Sequence, residues 1–540
     1  MDYLINGSIK EAFEKEEIID IDCYFAEEIC SHFKIVDGEQ FLFLARLMAS
    51  SRLGHLCLNR TDYPVPNLAP DLFSHLLVKD QGRYYLQRNW LLESSFLNHL
   101  QRISIKKESE KEIGDSKSTI YNSEQICAIK NALQNPLSIV TGGPGTGKSF
   151  TAEGIVEHFT RQSAISPLIY IAAPTGRAAA KLAAAIKRKD SIAIHSSTLH
   201  SLLKVRSSKD FGTLPEPIDA DLLIVDEASM IDASLFTRLF AAITSKTHLV
   251  LLGDPYQLPA VESGSLFSDL IEVIDDGALF VPKVHLEKCM RTDRLELLEF
   301  ASAVKSGNGE PLKKKVLSLD RREIELKGFW KLAEEKRFPP FHTSLDEEKL
   351  IDLEGRFRTL SALRKGEWGS DSMNQYFYER DREKLPESGL WAIPILITKS
   401  DRALGVASGD SGLLIRNVSA ARAGKEYAPS DFALFPIKDS AGNYLRIPIM
   451  LLPRYELAYV ISIHKSQGSE YNEVAIILPP GCERFGREIL YTAVTRAKED
   501  FYLYCDQERF KELLTPTSRK ISGIRERIKI IKKSLEPSNL

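Results

Sequence analysis

The sequence predicts an α/β protein built on a parallel sheet, and three observations carry the prediction. The run Gly142-Gly143-Pro144-Gly145-Thr146-Gly147-Lys148-Ser149 matches the phosphate-binding pattern G-x-x-x-x-G-K-[ST]. It lies between a short apolar run, Leu137-Ser138-Ile139-Val140, and a helical stretch at 150–159 with Ile155, Val156 and Phe159 on one face. Further apolar runs follow at 168–172 (LIYIA), 222–225 (LLIV) and 249–252 (LVLL), with helical stretches between them. That alternation is the signature of strands paired in parallel through crossover helices.

The chain of 540 residues is too long for one core, so three or four domains are expected. With 43% hydrophobic and 27% charged residues it has an ordinary globular composition. Lys and Arg number 71 against 74 Asp and Glu, a net charge of −3. The balance lacks the global basic excess of a nucleic-acid-coating protein but leaves room for a local basic groove. Seven scattered cysteines (23, 30, 57, 127, 289, 482 and 505) form no C-x-x-C pair or zinc spacing and suit reduced thiols of a cytosol. The N-terminal MDYLINGSIKEAFEKEE is acidic and does not read as a secretory signal, and no apolar run is long enough to span a membrane. The expected location is cytoplasmic, with no membrane partner.

Along the chain, residues 1–105 read as a helical N-terminal domain and 106–119 as a polar, charged linker. Residues 120–290 form the domain that carries the phosphate loop, with a small Gly- and Pro-containing insertion at 204–218. A second α/β unit is expected over 291–405 and 456–510, its strands starting near Trp391 in WAIPILITKS. The stretch 406–455, punctuated by Gly, Pro and Asp, reads as several short strands inserted into that unit. The tail 511–540 is helical and basic, with Arg519, Lys520, Arg525, Arg527, Lys529, Lys532 and Lys533, a pattern shared with solvated amphipathic helices.

The phosphate loop sets the first chemical expectation. Its backbone N–H groups can wrap a triphosphate, and the helix N-terminus favours the added negative charge. Lys148 would reach the β- and γ-phosphates and Ser149 would hold Mg²⁺. Asp226-Glu227 closes the strand at 222–225, which suits Asp226 to the metal and Glu227 to general base catalysis. Gln257, in the loop 253–259 after the next strand, is placed to hold the γ-phosphate or the attacking water, or is an ordinary loop amide. Arg291 and Arg496 are candidates to neutralise phosphate charge, although a lone arginine is more often a surface residue. Gln125 either reads an adenine edge or is an exposed first-turn residue of a helix capped by Ser123.

Three further segments fall at strand-to-helix junctions: Thr175 and Arg177 in PTGR, Thr198 and His200 in TLH, and His464, Lys465, Ser466, Gln467 and Ser469 in HKSQGSE. Their hydroxyl, amide and cationic groups are those that hold a sugar–phosphate chain. His200 alone also reads as a satisfied core histidine, whereas the stretch 464–470 offers nothing to a core.

In this order the segments Gln125, GGPGTGKS, AAPTGRAAAKL, TLH, DEASM, GDPYQLP, the Arg291 segment, HKSQGSEY and YTAVTRAK resemble the superfamily-1 DNA helicases. GDPYQLPAVESG and HKSQGSEY look like the RecD branch. Gly54-His55-Leu56-Cys57-Leu58 and Tyr84-Tyr85-Leu86-Gln87-Arg88 with Trp90 are similar to its N-terminal domain, so the resemblance runs from about residue 40 to 505. It implies two RecA-like domains with ATP and Mg²⁺ in the cleft between them. The first would supply Lys148, Ser149, Asp226, Glu227 and Gln257, the second Arg496, with Arg291 at the junction. Single-stranded DNA would be gripped by Thr175, Thr198, His200 and the 464–470 loop and moved 5′ to 3′, with a small β-barrel at 406–455 helping to form its channel.

The branch further implies a heterotrimer with RecB-like and RecC-like subunits, acting on double-strand DNA ends in recombinational repair. The N-terminal domain would dock on the RecC-like subunit, and nuclease activity would belong to the RecB-like one. The absence of a long N-terminal extension favours this over a stand-alone helicase. A static ATP-binding clamp would not need Glu227, Gln257 and Arg496 together.

Overall fold

The computed structural model describes residues 7–535 apart from 16, 60, 62, 105–119, 164, 187–192, 261, 289–294, 312–315, 318–323, 402, 439–441 and 516–519. The linker 106–119 and Arg291 therefore lie outside the described residues.

The N-terminal unit is not wholly helical. Helices Asp20–His32 and Gly38–Arg52 pack through Ala26, Cys30, Phe41, Leu44 and Leu47. They adjoin an antiparallel sheet of β1 (Leu58–Asn59), β2 (Leu77–Asp80) and β3 (Arg83–Leu86), in the order β1-β3-β2. Gln81 and Gly82, both at positive φ (49° and 73°), make the tight β2–β3 turn. The next helix, Gln87–Ser104, leaves this unit: Phe96 meets Phe236 and Phe240 with ring centres 5.6 and 5.0 Å apart, inside the core of the following sheet.

That sheet has six strands: β4 (Leu137–Gly142), β5 (Ile169–Ala173), β6 (Ile194–Thr198), β7 (Leu222–Val225), β8 (His248–Gly253) and β9 (Lys283–Leu286). Their order is β6-β5-β7-β8-β4-β9 and every pairing is parallel. β4 and β7 are buried throughout, which is why they read as unbroken apolar runs. Ile129, Ile155 and Leu182 cover one face, and Phe236, Leu239 and Leu266 cover the other. Because β7, β8 and β4 are neighbours, the loops leaving their C-terminal ends sit side by side, and ligands bind there in open parallel sheets.

The second half contains β10 (Val316–Leu317), β11 (Phe341–His342), β12 (Phe357–Ser361), β13 (Leu390–Ile397), β14 (Ser411–Asn417), β15 (Phe432–Lys438), β16 (Tyr444–Pro448), β17 (Tyr455–Leu457), β18 (Val460–Ser462), β19 (Tyr471–Ile477) and β20 (Ala497–Tyr504). A second parallel sheet has the order β10-β20-β19-β12-β18. The apolar run at Trp391 is not part of it. That run is β13, the centre of an antiparallel sheet β11-β13-β14-β15-β16, with β17 also on β13. β13 is buried on both faces, with Trp391, Ile393 and Ile395 in one core and Ala392 in another, so its pattern mimics a parallel strand. An interior strand of the parallel sheet, β12, between β19 and β18, hides Arg358, Thr359 and Ser361 among its buried residues. Its polar sequence conceals it because Arg358 is paired with Glu354 and donates to the Ala458 carbonyl. The antiparallel sheet draws strands from outside 406–455, and its end strands β11 and β16 do not pair with each other.

The basic tail is not a solvated helix. Ile524 and Ile528 of the helix Ile524–Leu535 enter the first sheet's core. Buried Glu93 accepts hydrogen bonds from the Gly523 N–H (3.0 Å) and from Arg527 Nη1 (3.1 Å). Leu56 N donates to the Ile521 carbonyl at 2.8 Å, Ile521 N donates to His55 Nδ1 at 2.8 Å, and Lys520 Nζ donates to the carbonyls of Ala260 and Glu262. A Cβ at position 523 would lie 1.9 Å from the Tyr85 hydroxyl, so only glycine fits there. Among the described residues no helix is long and apolar enough to cross a membrane.

Candidate nucleotide and nucleic-acid sites

The phosphate loop joins β4 to the helix Lys148–Gln162. Gly145 and Gly147 adopt φ of 78° and 90°, the left-handed region that side chains disfavour. A Cβ on Gly142 would lie 2.5 Å from Thr146 Oγ1, and that hydroxyl donates to the Gly143 carbonyl at 2.9 Å, curling the loop. Lys148 Nζ donates to the carbonyls of Gly142 (2.6 Å) and Gly143 (3.0 Å), so its ammonium lies inside the loop. Ser149 is exposed on the first helical turn.

Asp226 and Glu227 follow β7. The Asp226 carboxylate accepts from Glu227 N at 2.8 Å, and its pKa is pushed up to about 6 by burial and by the Glu227 charge, with Lys148 acting the other way. Glu227 sits at φ 53°, a strained conformation for a residue with a side chain and one that clusters at functional sites. Gln257 is 4% exposed; its Nε2 donates to Asp254 Oδ2 at 3.3 Å, whereas its buried Oε1 has no partner among the described residues. An unpaired buried acceptor costs about 1–3 kcal/mol, so this oxygen is suited to a donor brought by a ligand or water.

Arg496 comes from the second domain and is 2% exposed. Its guanidinium is clamped by the Thr492 carbonyl (3.0 Å), the Ser469 carbonyl (3.2 Å) and Thr495 Oγ1 (3.2 Å). Burial pushes its pKa down, while Glu227 and Asp254 of the first domain favour its charge. The junction converges on the 253–259 loop: Leu258 N donates to Thr492 Oγ1 (2.8 Å), Gln467 Nε2 donates to the Leu258 carbonyl (3.0 Å), and the Tyr491 hydroxyl donates to Asp254 Oδ2 (2.9 Å). Tyr491, Thr492 and Asp254 lie within motifs readable in the sequence, but nothing in a lone hydroxyl or acid marks it as an interdomain contact.

Gln125 is 3% exposed rather than a surface residue. The helix cap is Asn122, not Ser123: Gln125 N donates to Asn122 Oδ1 (2.8 Å) and Asn122 N donates to Gln125 Oε1 (3.1 Å), a reciprocal capping box. The Gln125 amide nitrogen lies against Gly147, 2.9 Å from where a Cβ would be.

A second cleft of about 910 Å³ separates the domains, with Thr175 and Pro259 on one side and His464, Lys465 and Gln467 on the other. Arg364, Lys399 and Arg454 also line it. Sequence reading missed these three because isolated surface cations carry no motif. Thr175 and Thr198 cap helical turns, accepting from Ala178 N (3.3 Å) and Ser201 N (3.2 Å). His200 is exposed, so it is not a core histidine, and it is outside the lining of this cleft. Arg177 keeps a buried Nη1 with no partner among the described residues. Ser466 is fully buried with its hydroxyl on the Ile463 carbonyl (2.7 Å), and Ser469 is also buried, so neither serine side chain faces the cleft. Lys465 pairs with Glu456 at 2.6 Å. His464 packs edge-on against Phe485 and is pushed down to about 4 by burial and by Lys520 and Arg484, which keeps it neutral near pH 7.

Residues 125–263 match an AAA domain and residues 457–504 match a UvrD-like helicase C-terminal domain. With two parallel sheets and a phosphate loop in the first, these matches define the class: a helicase that hydrolyses ATP. The RecBCD enzyme subunit RecD of Mycolicibacterium smegmatis is 30% identical over 436 residues, covering 75% of each chain. The RecD subunit of Mycobacterium tuberculosis is 27% identical over 98% of each chain. The ATP-dependent RecD2 DNA helicase of Deinococcus radiodurans is 26% identical over 70% of this chain and 48% of its own. A solved structure of Bacteroides Pif1 bound to ssDNA aligns with 74% of this chain and 94% of its own, at 17% identity and a TM-score of 0.40. The chain belongs to the RecD family and is a DNA helicase of the RecD type.

Proposed function

We propose that this chain is the 5′-to-3′ motor of a RecBCD-type complex, using ATP to draw single-stranded DNA between its two RecA-like domains. One observation carries the reading: Arg496 of one domain is buried beside Glu227 and Asp254 of the other, so the ATP site is complete only where the domains meet. Lys148 and the loop N–H groups bind the phosphates, and Glu227 takes the proton of the attacking water. The unpaired Gln257 oxygen suits that water better than a phosphate oxygen, because it can only accept. Arg496 offsets charge on the γ-phosphate as hydrolysis proceeds. The hard oxygen donors of Ser149 and Asp226 fit Mg²⁺, which when bound neutralises phosphate charge.

Thr175, Lys465 and the cations of the second cleft hold the strand by its phosphates. Movement is linked to hydrolysis because Gln467, in the DNA-side loop, is hydrogen-bonded to Leu258 beside Gln257. Arg177, Thr198 and His200 extend the path along the first domain, and Arg291 is assigned to the junction on family resemblance. The sheet around 406–455 forms a wall of the strand channel, and the N-terminal unit docks on a RecC-like subunit in the cytoplasm. Nuclease activity on double-strand ends belongs to a RecB-like partner.

The test is ATP turnover stimulated by single-stranded DNA, combined with unwinding of 5′- and 3′-tailed duplexes, with and without RecB-like and RecC-like subunits. The expected result is stimulated turnover abolished in Lys148→Gln and unwinding only from a 5′ tail. Stimulated turnover unchanged in Lys148→Gln overturns the site, and a stable active monomer that ignores both partners overturns the complex.

A further inference from the structure

The helix Leu295–Ser306 belongs to the second domain, where Leu297, Phe300, Ala303 and Val304 are buried in the core and Phe300 meets Phe501 at 5.3 Å. Its penultimate residue, Lys305, is held at the backbone by Arg487 Nη1, which donates to its carbonyl at 2.9 Å. The Lys305 side chain reaches across the junction. Its ammonium lies 4.5 Å from the ring centre of Tyr256, on the first domain, and 5.3 Å from that of Tyr491. The Tyr491 hydroxyl in turn lies 3.1 Å from where a Cβ on Gly143 would be, so Lys305 and the phosphate loop flank the same tyrosine.

Lys305 also lines, with Gly143, Pro144 and Thr146, a cavity of about 380 Å³ beside the phosphate loop. Its ammonium has no hydrogen-bonded acceptor and no ion-pair carboxylate among the described residues. Burial depresses its pKa, Lys148 repels it and Asp254 attracts it from a distance. Holding this ammonium here is costly for the protein alone, because a half-buried cation without a partner loses hydration and gains only the tyrosine faces. A polyanion in the cavity removes that cost.

We infer that Lys305 is a direct ligand of the nucleotide's phosphate chain, contributed by the second domain alongside Arg496. The inference rests on the reading of the phosphate loop as the ATP site. The two cations divide the work. Arg496, fixed beside Glu227, acts on charge that develops during hydrolysis, whereas Lys305, beside Gly143 and Pro144, acts on the bound ground state. Lys305 therefore contributes to KM rather than kcat, and makes nucleotide affinity depend on how closely the two domains meet.

The experiment uses the full chain: titration with a fluorescent ATP analogue, and steady-state ATP turnover at saturating single-stranded DNA. Lys305→Met keeps the apolar stem over the tyrosines and removes the charge. It is expected to weaken nucleotide binding and raise KM about tenfold, as loss of a charged hydrogen bond does, with kcat within about twofold and DNA affinity unchanged. Lys305→Arg should retain most of the affinity. The thermal midpoint without nucleotide should hold or rise in Lys305→Met, since an unpaired buried charge has gone; a lower midpoint with an unchanged KM shows a structural latch and overturns the inference. Lys148→Ala separates the two readings: if it abolishes binding while Lys305→Met binds like the wild type, only the Lys305 assignment falls. If Lys148→Ala binds normally, the ATP site itself is misplaced.

Discussion

The two clefts at the domain junction are made of different materials. On the side proposed for the nucleotide two polar side chains are buried and held in place: Arg496 and Gln257 are 2% and 4% exposed, and Arg496 is held by three oxygens. On the side proposed for nucleic acid Arg364, Lys399, Arg454 and Lys465 are all exposed. A buried, oriented charge acts on one atom of one ligand and has no substitute. Exposed cations produce a summed field in which each contributes modestly and salt competes with all of them.

The sharpest way to break this contrast is Arg496→Ala. It should lower DNA-stimulated kcat by about 10³ while leaving single-stranded DNA affinity within a few-fold, as removal of an arginine finger does. An effect on kcat below tenfold would place Arg496 with the exchangeable cations. A smaller effect is expected from Lys399→Ala combined with Arg454→Ala. DNA affinity should fall for every sequence alike, and the slope of log K against log salt should shrink by about 1.4, or roughly 0.7 for each phosphate of a single strand that is no longer neutralised. Turnover at saturating DNA should not change; a change in kcat would mean these side chains act on the nucleotide.

The smallest effect concerns His464, a partly buried titratable group on the side proposed for DNA. Its folded pKa is about 4, below the unfolded value of about 6.5. The unfolded chain binds the proton first, so stability falls as pH drops through that window, and is unaffected by this group above it. His464→Gln should flatten the decline in thermal midpoint between about pH 6.5 and 4. An unchanged decline would show that the imidazole is solvated like its neighbours.

The same contrast governs how much could be read from the sequence. The phosphate loop and the acidic pair Asp226-Glu227 are legible because backbone geometry and buried strands demand particular residue types at fixed spacing. Lys399 and Arg454 are not, because a surface cation satisfies no local constraint. Ser466 looks like a ligand for DNA by residue type, yet its hydroxyl serves the Ile463 carbonyl. Among the elements, β13 reads as a parallel strand because burial on both faces erases alternation, whichever way the neighbours run. β12 escapes notice because the partners that make Arg358 tolerable, Glu354 and the Ala458 carbonyl, cannot be paired with it from the sequence. The tail escapes for a similar reason: Arg527 is matched by Glu93, more than four hundred positions away.

That tail has a mechanical consequence. Phe510 and Leu513 of the helix Gln507–Leu514 are rooted in the second domain, whereas Lys520 is fastened to the Ala260 and Glu262 carbonyls of the first. Five peptide units join Thr515 to Lys520, and a fully extended chain of that length spans at most about 18 Å. While the tail stays docked, a covalent tether thus sets the longest stroke available to this edge of the machine, and any wider opening must first peel Lys520 away from the 260–262 loop.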